Sequence, residues 1–385
     1  MNKKLEKVML LPKDAYLSES WFKQEQALIF EKNWQFAGFI EDLKENFLTV
    51  QVGRCNLIIL KNAQQQLRAY HNLCRHRGTQ LLRTCGKKKK TITCPYHDWS
   101  YSLEGELIAV PQEKIEFPEL DKSRLGLHKA AVKEWLGMIW VHVDPNAPFF
   151  FDWLGEAQKA VGPHRVDELV EYPDTATQHD IKANWKIIVE NYIDGYHLSH
   201  LHSNTLDMYN HQQQHSQFVG SHFAFYEPLS DKFKHNLKKM SPFPLIEHFT
   251  DEQPIGAYVP MFFPNLGIAA TESSWSIFHV IPLTPEVTRV ITRTRLMPVS
   301  DWEFAKQASR SWAYYSSQRS KYDQPLQEDD PMESGDFMLE DVFACEQQQK
   351  ALQSPLFSIG ATARYQEAAI QEFQQHILNF MEIKP

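Results

Sequence analysis

Two cysteines and two histidines arrive as a pair of short segments, Cys74-Arg75-His76 and, after 17 further residues, Cys94-Pro95-Tyr96-His97. A chain that gathers such ligands around one centre must hold two loops side by side. Thiolate and imidazole together suit tetrahedral zinc, or a two-iron, two-sulfur cluster in which histidine serves the second iron. Zinc knuckles more often repeat like ligands as C-x-x-C. One Cys and one His per segment is what a cluster needs if each iron takes one ligand type from both loops. The flanking runs Leu57 to Leu60, Thr91 to Thr93 and Met138 to Val143 are short and β-rich, with turn signals between them, and predict a small β domain.

A second polar cluster runs from Glu190 to His202 as ENYIDGYHLSHLH. The spacing predicts a helix over 184–201, on which Asp194 and His197 share a face. His197 and His202 are five apart, roughly 140° around a regular helix. They converge on one ion only if the helix ends or bulges between them. His197 and His200 are the simpler pair on spacing alone, and a polar surface helix with adventitious histidines fits the same letters.

Few cysteines (5) beside many histidines (17) point to metal chemistry rather than disulfides. Cys55, Cys85 and Cys345 read as plain thiols. A net charge of −8 argues against nucleic acid as a partner. No apolar run approaches the ~18 residues of a membrane span, and Val8 to Leu11 is too short for a signal sequence. The expectation is a cytoplasmic protein with reduced thiols. The 385 residues suggest two or three domains. Residues 1–37 read as an N-terminal helical segment on a larger body, with Trp21, Phe22, Leu28, Ile29 and Trp34 at helical spacing over 15–36. Residues 38–148 read as the β domain, closed by Asp144-Pro145-Asn146-Ala147-Pro148. Residues 149–385 read as an α+β domain, with strands over 275–281 and 287–297 and helices over 301–322, 337–352 and 361–381.

Cys74-Arg75-His76-Arg77-Gly78 and Cys94-Pro95-Tyr96-His97-Asp98-Trp99-Ser100-Tyr101 resemble the two fingers of the Rieske domain in Rieske non-haem iron oxygenases. The resemblance implies Cys74 and Cys94 on one iron and His76 and His97 on the other. Thr79 and Tyr96 stand where respiratory Rieske proteins carry an extra disulfide pair, so the oxygenase type is implied. Asp98 departs from the Gly or other small residue usual in the family. If the position needs positive φ, Asp is among the better substitutes, and its charge would lower the potential of a neighbouring cluster. Asp194-x-x-His197 followed by His202 resembles the family's mononuclear iron motif. It implies His197 and His202 as Fe(II) ligands, with a late Asp completing a two-His, one-carboxylate set. Asp341 matches best, with Glu340 as the alternative. Asp194 would bridge a cluster histidine of one subunit to an iron histidine of the next, the alternative being that Asp194 is itself the ligand.

What the resemblance implies as a whole is an α+β catalytic (alpha) subunit with an N-terminal β-rich Rieske [2Fe–2S] domain. A helix-grip-like antiparallel sheet with helices would follow it. Its cofactors are the cluster, mononuclear Fe(II) and O₂ as co-substrate. Its partners are a small-molecule substrate, a separate ferredoxin or flavin reductase, and two further copies in a homotrimer. The chain has no G-x-G-x-x-G fingerprint, so NAD(P)H would act only through the reductase. Hydroxylation or oxidative demethylation of an aromatic compound or a quaternary amine is the implied activity. A non-catalytic electron carrier or a zinc-stabilised binding protein is the alternative. Lys87 to Lys90 offer a docking patch or a solvated loop. Tyr209, Phe218, Phe223, Phe225, Tyr226, Tyr258, Phe262 and Phe263 offer an aromatic pocket, a cation–π cage or simply core.

Overall fold

The computed structural model describes residues 9–43, 46–83, 86–87, 90–172, 175–202, 205–246, 255–319, 331–333, 336–358 and 360–383. Cys85, Lys88, Lys89 and the end of the expected 301–322 helix lie outside them. The chain divides into two compact units, 23–153 and 1–22 with 154–385.

The expected helix over 15–36 is two short helices, α1 (Asp14–Leu17) and α2 (Glu19–Leu28). Ser18 between them is extended, at φ −81° and ψ 124°. The second helix stops because the Asn33 side chain folds back onto the Ile29 carbonyl at 2.8 Å. Trp34 then serves the β core, edge-on to Phe150 at 5.3 Å, rather than a helix face.

In the 23–153 unit the strands are β1 (Gln35–Phe39), β2 (Asn46–Val52), β3 (Cys55–Lys61), β4 (Leu67–His71), β5 (Gly86–Lys87), β6 (Ile92–Thr93), β7 (Ser100–Tyr101), β8 (Leu107–Ala109), β9 (Lys129–Trp135) and β10 (Met138–His142). Seven form an antiparallel sheet in the order β1-β10-β9-β4-β3-β2-β5, and β6-β7-β8 form a second, smaller sheet. Short helices α3 (Glu113–Glu116) and α4 (Phe150–Leu154) follow. The run Leu57-Ile58-Ile59-Leu60 in β3 is apolar throughout because both faces are covered. Ile58 and Leu60 join the core that holds Cys74, Cys94 and Trp99, while Leu57 and Ile59 join a second core with Ile139 and Val141.

The other unit carries β11 (Val170–Glu171), β12 (Thr177–Ile181), β13 (His215–Val219), β14 (His222–Pro228), β15 (Gly256–Tyr258), β16 (Met261–Phe262), β17 (Leu266–Ala270), β18 (Trp275–Thr284) and β19 (Val287–Leu296). They make one nine-stranded antiparallel sheet, with β11-β19-β18-β17-β15-β14-β13 along its main path. The helices are α5 (Trp185–Ile193), α6 (Asp231–Met240), α7 (Asp301–Arg319), α8 (Phe337–Leu352) and α9 (Ala368–Phe380). The fold is therefore the expected α+β, with helices α5, α8 and α9 packed together. The long β18–β19 hairpin follows its β-branched alternation, and Thr288, Val290, Thr292 and Thr294 of β19 point inward. Helix α9 begins at Ala368 rather than 361, because the Glu367 carboxylate takes the Ala363 amide and holds the preceding residues in turns.

Helix α5 is buried on nearly every side. Asn184 starts it, accepting the Lys186 amide at 3.0 Å while its own Nδ2 donates to the carbonyls of Pro285 and Tyr16 at 2.7 and 3.2 Å. Gly267 leaves room on β17 for the Tyr192 ring of α5, since a Cβ there would lie 2.6 Å from it. Replacing Asn184 removes a cap and two buried bonds. Asn184→Ala is expected to destabilise the chain by about 2–3 kcal/mol, read by denaturant unfolding; a loss near zero would show that the start of α5 needs no cap.

Candidate metal centres

The two Cys/His segments are superimposable in their backbone logic. In the first, the Cys74 amide donates to Thr79 and the Gly78 amide donates to Cys74, at 2.8 and 2.9 Å. In the second, the Cys94 amide donates to Trp99 and the Asp98 amide donates to Cys94, at 2.9 and 3.1 Å. The fifth residue of each loop takes left-handed backbone, Gly78 at φ 73° and Asp98 at φ 57°. Asp98 thus meets the positive-φ condition that its place in the motif raised.

Both thiols are buried, and Cys74 Sγ lies 3.2 Å from the Tyr101 hydroxyl, which also accepts the Arg75 amide at 2.9 Å. Burial raises the Cys74 thiol pKa, with the neighbouring Cys94 adding to it. The His76 ring stacks on Trp99 at 4.8 Å and meets His97 edge-on at 4.7 Å. Nδ1 of His76 is buried without a hydrogen-bond partner. A buried imidazole nitrogen with no partner among the described residues, beside two buried thiols, fits a metal-binding donor set. The grouping found within one-ion reach, 4.8 Å, includes none of these four among the described residues.

That close grouping is His197, His202 and Asp341. The expected helix over 184–201 ends at Ile193, and Asp194 is already extended at φ −78° and ψ 121°. Beyond it the chain runs in successive turns, one closed by Leu201 N to His197 O at 2.7 Å and the next by Leu206 N to His202 O at 3.0 Å. This break lets histidines five apart converge. Their rings lie 5.1 Å apart, centre to centre. His200 stays exposed, edge-on to Tyr196, so the simpler pairing is not the one that forms.

Asp341 arrives on α8. Its Oδ1 is 3.0 Å from His202 Nε2, 3.6 Å from His197 Nε2 and 3.2 Å from the Asn191 amide nitrogen. Ligand atoms at about 2.1 Å from a metal on adjacent corners of an octahedron are about 3 Å apart, so the spacing suits an ion. Glu340, the next residue back, serves the other edge of the same ring: its Oε2 takes His202 Nδ1 at 2.7 Å and the Thr205 hydroxyl at 2.9 Å. With the proton on Nδ1, Nε2 turns a lone pair toward a carboxylate oxygen, an arrangement that a cation between them resolves. Burial opposes charge on His202, and the Asp341 and Glu340 carboxylates outweigh it, so its pKa is raised. Asp194 does not join the grouping. Its Oδ1 accepts the Tyr196 amide at 2.6 Å, and its Oδ2 lies 3.1 Å from His197 Nδ1 without good hydrogen-bond direction.

A cavity of about 1730 Å³ opens on this grouping, lined by Asn191, Tyr192 and Phe278 near it and by strands β17 to β19 beyond. Of the eight aromatics singled out in the sequence, Tyr209 and Phe225 line the cavity. Phe223, Phe262 and Phe263 are core, and Phe263 stacks on Phe380 at 5.2 Å. Sequence reasoning treated Glu340 only as a substitute ligand. The signal that it backs His202 was its adjacency to Asp341, about 100° around the same helix.

Comparison with known proteins agrees with both halves. Residues 33–121 match the Rieske [2Fe-2S] domain model, and residues 167–383 match the ring hydroxylating alpha subunit (catalytic domain) model. The chain belongs to this family of oxygenase alpha subunits. It is 33% identical over 199 residues to choline monooxygenase of Beta vulgaris, covering 50% of this chain and 44% of that protein. It is 29% identical over 317 residues to the glycine betaine monooxygenase oxygenase subunit of Chromohalobacter salexigens, covering 74% of this chain and 70% of that one. The match thus spans less than half the length of the Beta vulgaris relative. A crystal structure of the quaternary ammonium Rieske monooxygenase CntA in complex with L-carnitine shares the fold, with a TM-score of 0.71 at 21% identity over 96% of this chain and 95% of that chain.

The left-handed site at 98 makes a local prediction. Asp98→Gly is expected to leave stability within about 0.5 kcal/mol, whereas Asp98→Val should cost about 1–2 kcal/mol. Thermal unfolding of the two variants checks this, and equal losses would mean the loop does not hold its φ.

Proposed function

We propose that this chain is an oxygenase component that receives single electrons from a separate ferredoxin or flavin reductase and uses O₂ to hydroxylate or oxidatively demethylate a small organic molecule. The observation that carries the proposal is the convergence of His197, His202 and Asp341 on the wall of a large cavity. In this reading Cys74 and Cys94 hold one iron of the cluster and His76 and His97 hold the other. His197, His202 and Asp341 hold Fe(II). Bound there, the cluster supplies electrons one at a time and the Fe(II) supplies a place to activate O₂ beside the substrate.

The chain's own side chains do the rest. Glu340 keeps the His202 proton on Nδ1 and so keeps Nε2 basic. Asn191 steadies Asp341 by donating to Oδ1. Asp194, fixed by the Tyr196 amide, stands beside His197 Nδ1. In this reading Asp194 would, in a homotrimer, link His197 to a cluster histidine of the adjoining copy. The described helices include none long and apolar enough to cross a membrane; a cytoplasmic location belongs to the proposal.

Iron, zinc and sulfide analysis with electron paramagnetic resonance on the reduced protein tests the metal assignment. About three irons and two sulfides per chain are expected. His202→Ala and Asp341→Asn should each fall to about two irons while keeping the sulfide and the reduced-cluster signal. A zinc-bearing protein without sulfide would sink the oxygenase reading. Asp194→Asn keeps the Tyr196 bond and the shape but not the charge. It should retain every metal and lose about 10- to 100-fold in turnover; loss of iron in that variant would make Asp194 a ligand instead.

A further inference from the structure

Each of the three grouped side chains has a second group behind it. Asn191 donates to Asp341 Oδ1, Asp194 stands beside His197 Nδ1, and the buried Glu340 accepts His202 Nδ1. The two carboxylates among these backing groups need their own rotation fixed, because the last torsion of an acidic side chain is soft and two-fold. For Asp194 a backbone group does this, the Tyr196 amide at 2.6 Å on Oδ1. For Glu340 a side chain does it. The Thr205 hydroxyl donates to Oε2 at 2.9 Å, on the same oxygen that takes His202 Nδ1 at 2.7 Å. A single donor leaves a carboxylate free to pivot about that contact. A second donor, arriving from another direction, removes the pivot.

The turn that follows His202 brings Thr205 to this place. The Thr205 amide donates to the His202 carbonyl at 3.2 Å, and the Leu206 amide donates to the same carbonyl at 3.0 Å. The hydroxyl then stands 3.5 Å from His202 Nδ1, too far to displace the bond to Glu340. Backbone groups close the turn, so the turn does not need the hydroxyl. β-branching limits the Thr205 side chain to few rotamers and keeps the hydroxyl where the turn puts it. Thr205 also lines the cavity, where water could satisfy an alcohol. Its bond to a buried carboxylate is therefore explained by what that carboxylate does for the ring. We propose that Thr205 is a positioning residue of the metal grouping: it fixes Glu340, which orients His202, and so sets how tightly His197, His202 and Asp341 hold their ion. This rests on the Fe(II) reading of that grouping and adds a residue to it.

The test follows anaerobic release of Fe(II) from the iron-loaded protein to the chelator ferrozine, with the visible absorbance of the cluster read on the same samples. Thr205→Val keeps the shape and removes the hydroxyl. It should release the mononuclear iron about tenfold faster than the wild type and keep the cluster absorbance. Thr205→Ser restores the hydroxyl and should release iron as slowly as the wild type. Glu340→Ala should itself release iron fast, and adding Thr205→Val to it should change nothing further, since the two residues act through one bond. Release from Thr205→Val at the wild-type rate overturns the proposal. So does a Thr205→Ser variant as fast as Thr205→Val, or an effect of Thr205→Val that persists undiminished beside Glu340→Ala. Faster release only together with loss of the cluster would make Thr205 a structural residue and overturns it too. A wild type with no iron to release outside the cluster fails the Fe(II) reading and this proposal with it; iron held equally by all the Thr205 variants fails this proposal alone.

Discussion

Everything at the second centre depends on one imidazole held by both edges. His202 is almost wholly buried, and its two nitrogens face two consecutive carboxylates of α8, Glu340 at 2.7 Å and Asp341 at 3.0 Å. Consecutive residues on a helix diverge by about 100°, so they clasp a ring only if the ring is inserted between them. The turn after α5 supplies that insertion. Glu340 sets the tautomer and Asp341 shares the outward nitrogen's space. Neither could do so if α8 were displaced by one residue along its axis.

That requirement explains why the surrounding packing is so closely tied together. Helix α5 is moored by Asn184 to the hairpin end at Pro285, and by Glu190 to Tyr16 and Gln374 at 2.7 and 2.8 Å. Burial pushes the Glu190 pKa up to about 7, which is the mark of a carboxyl kept for its hydrogen bonds rather than its charge. The Asn184 backbone amide also donates to Gln349 Oε1 of α8 at 2.9 Å. The same short segment therefore locates both helices that supply the metal-facing groups. The first centre uses a different solution, two matching loops whose amides and carbonyls close on themselves, with Trp99 as the plate on which His76 rests.

The two centres also differ in how far the letters alone reveal them. The Cys/His loops are local: each is a handful of residues whose hydrogen bonds close within the loop, so composition and spacing carry nearly all the information. Even the unusual Asp98 was legible, because left-handed backbone is a property of one residue. The His197/His202 pair was legible only through family resemblance. Helical periodicity carried the expected helix to residue 201 and favoured His200, whereas packing ended α5 at Ile193. The apolar spacing of Ile29 and Trp34 misled in the same way, since burial in a β core and burial on a helix face use the same residues.

What the sequence by itself determined is the kind of ligand available and the kind of element that carries it: two Cys/His loops in a β-rich unit, and an α+β unit with a long hairpin and a helix over 337–352. These depend on local conformation and on alternation of apolar residues. Only the tertiary structure decided which histidines meet and that Glu340 backs a ligand rather than competing to be one. Those are relations between residues far apart in the chain, 139 positions for His202 and Asp341. No periodicity spans such a distance; the packing of helices on the sheet sets it.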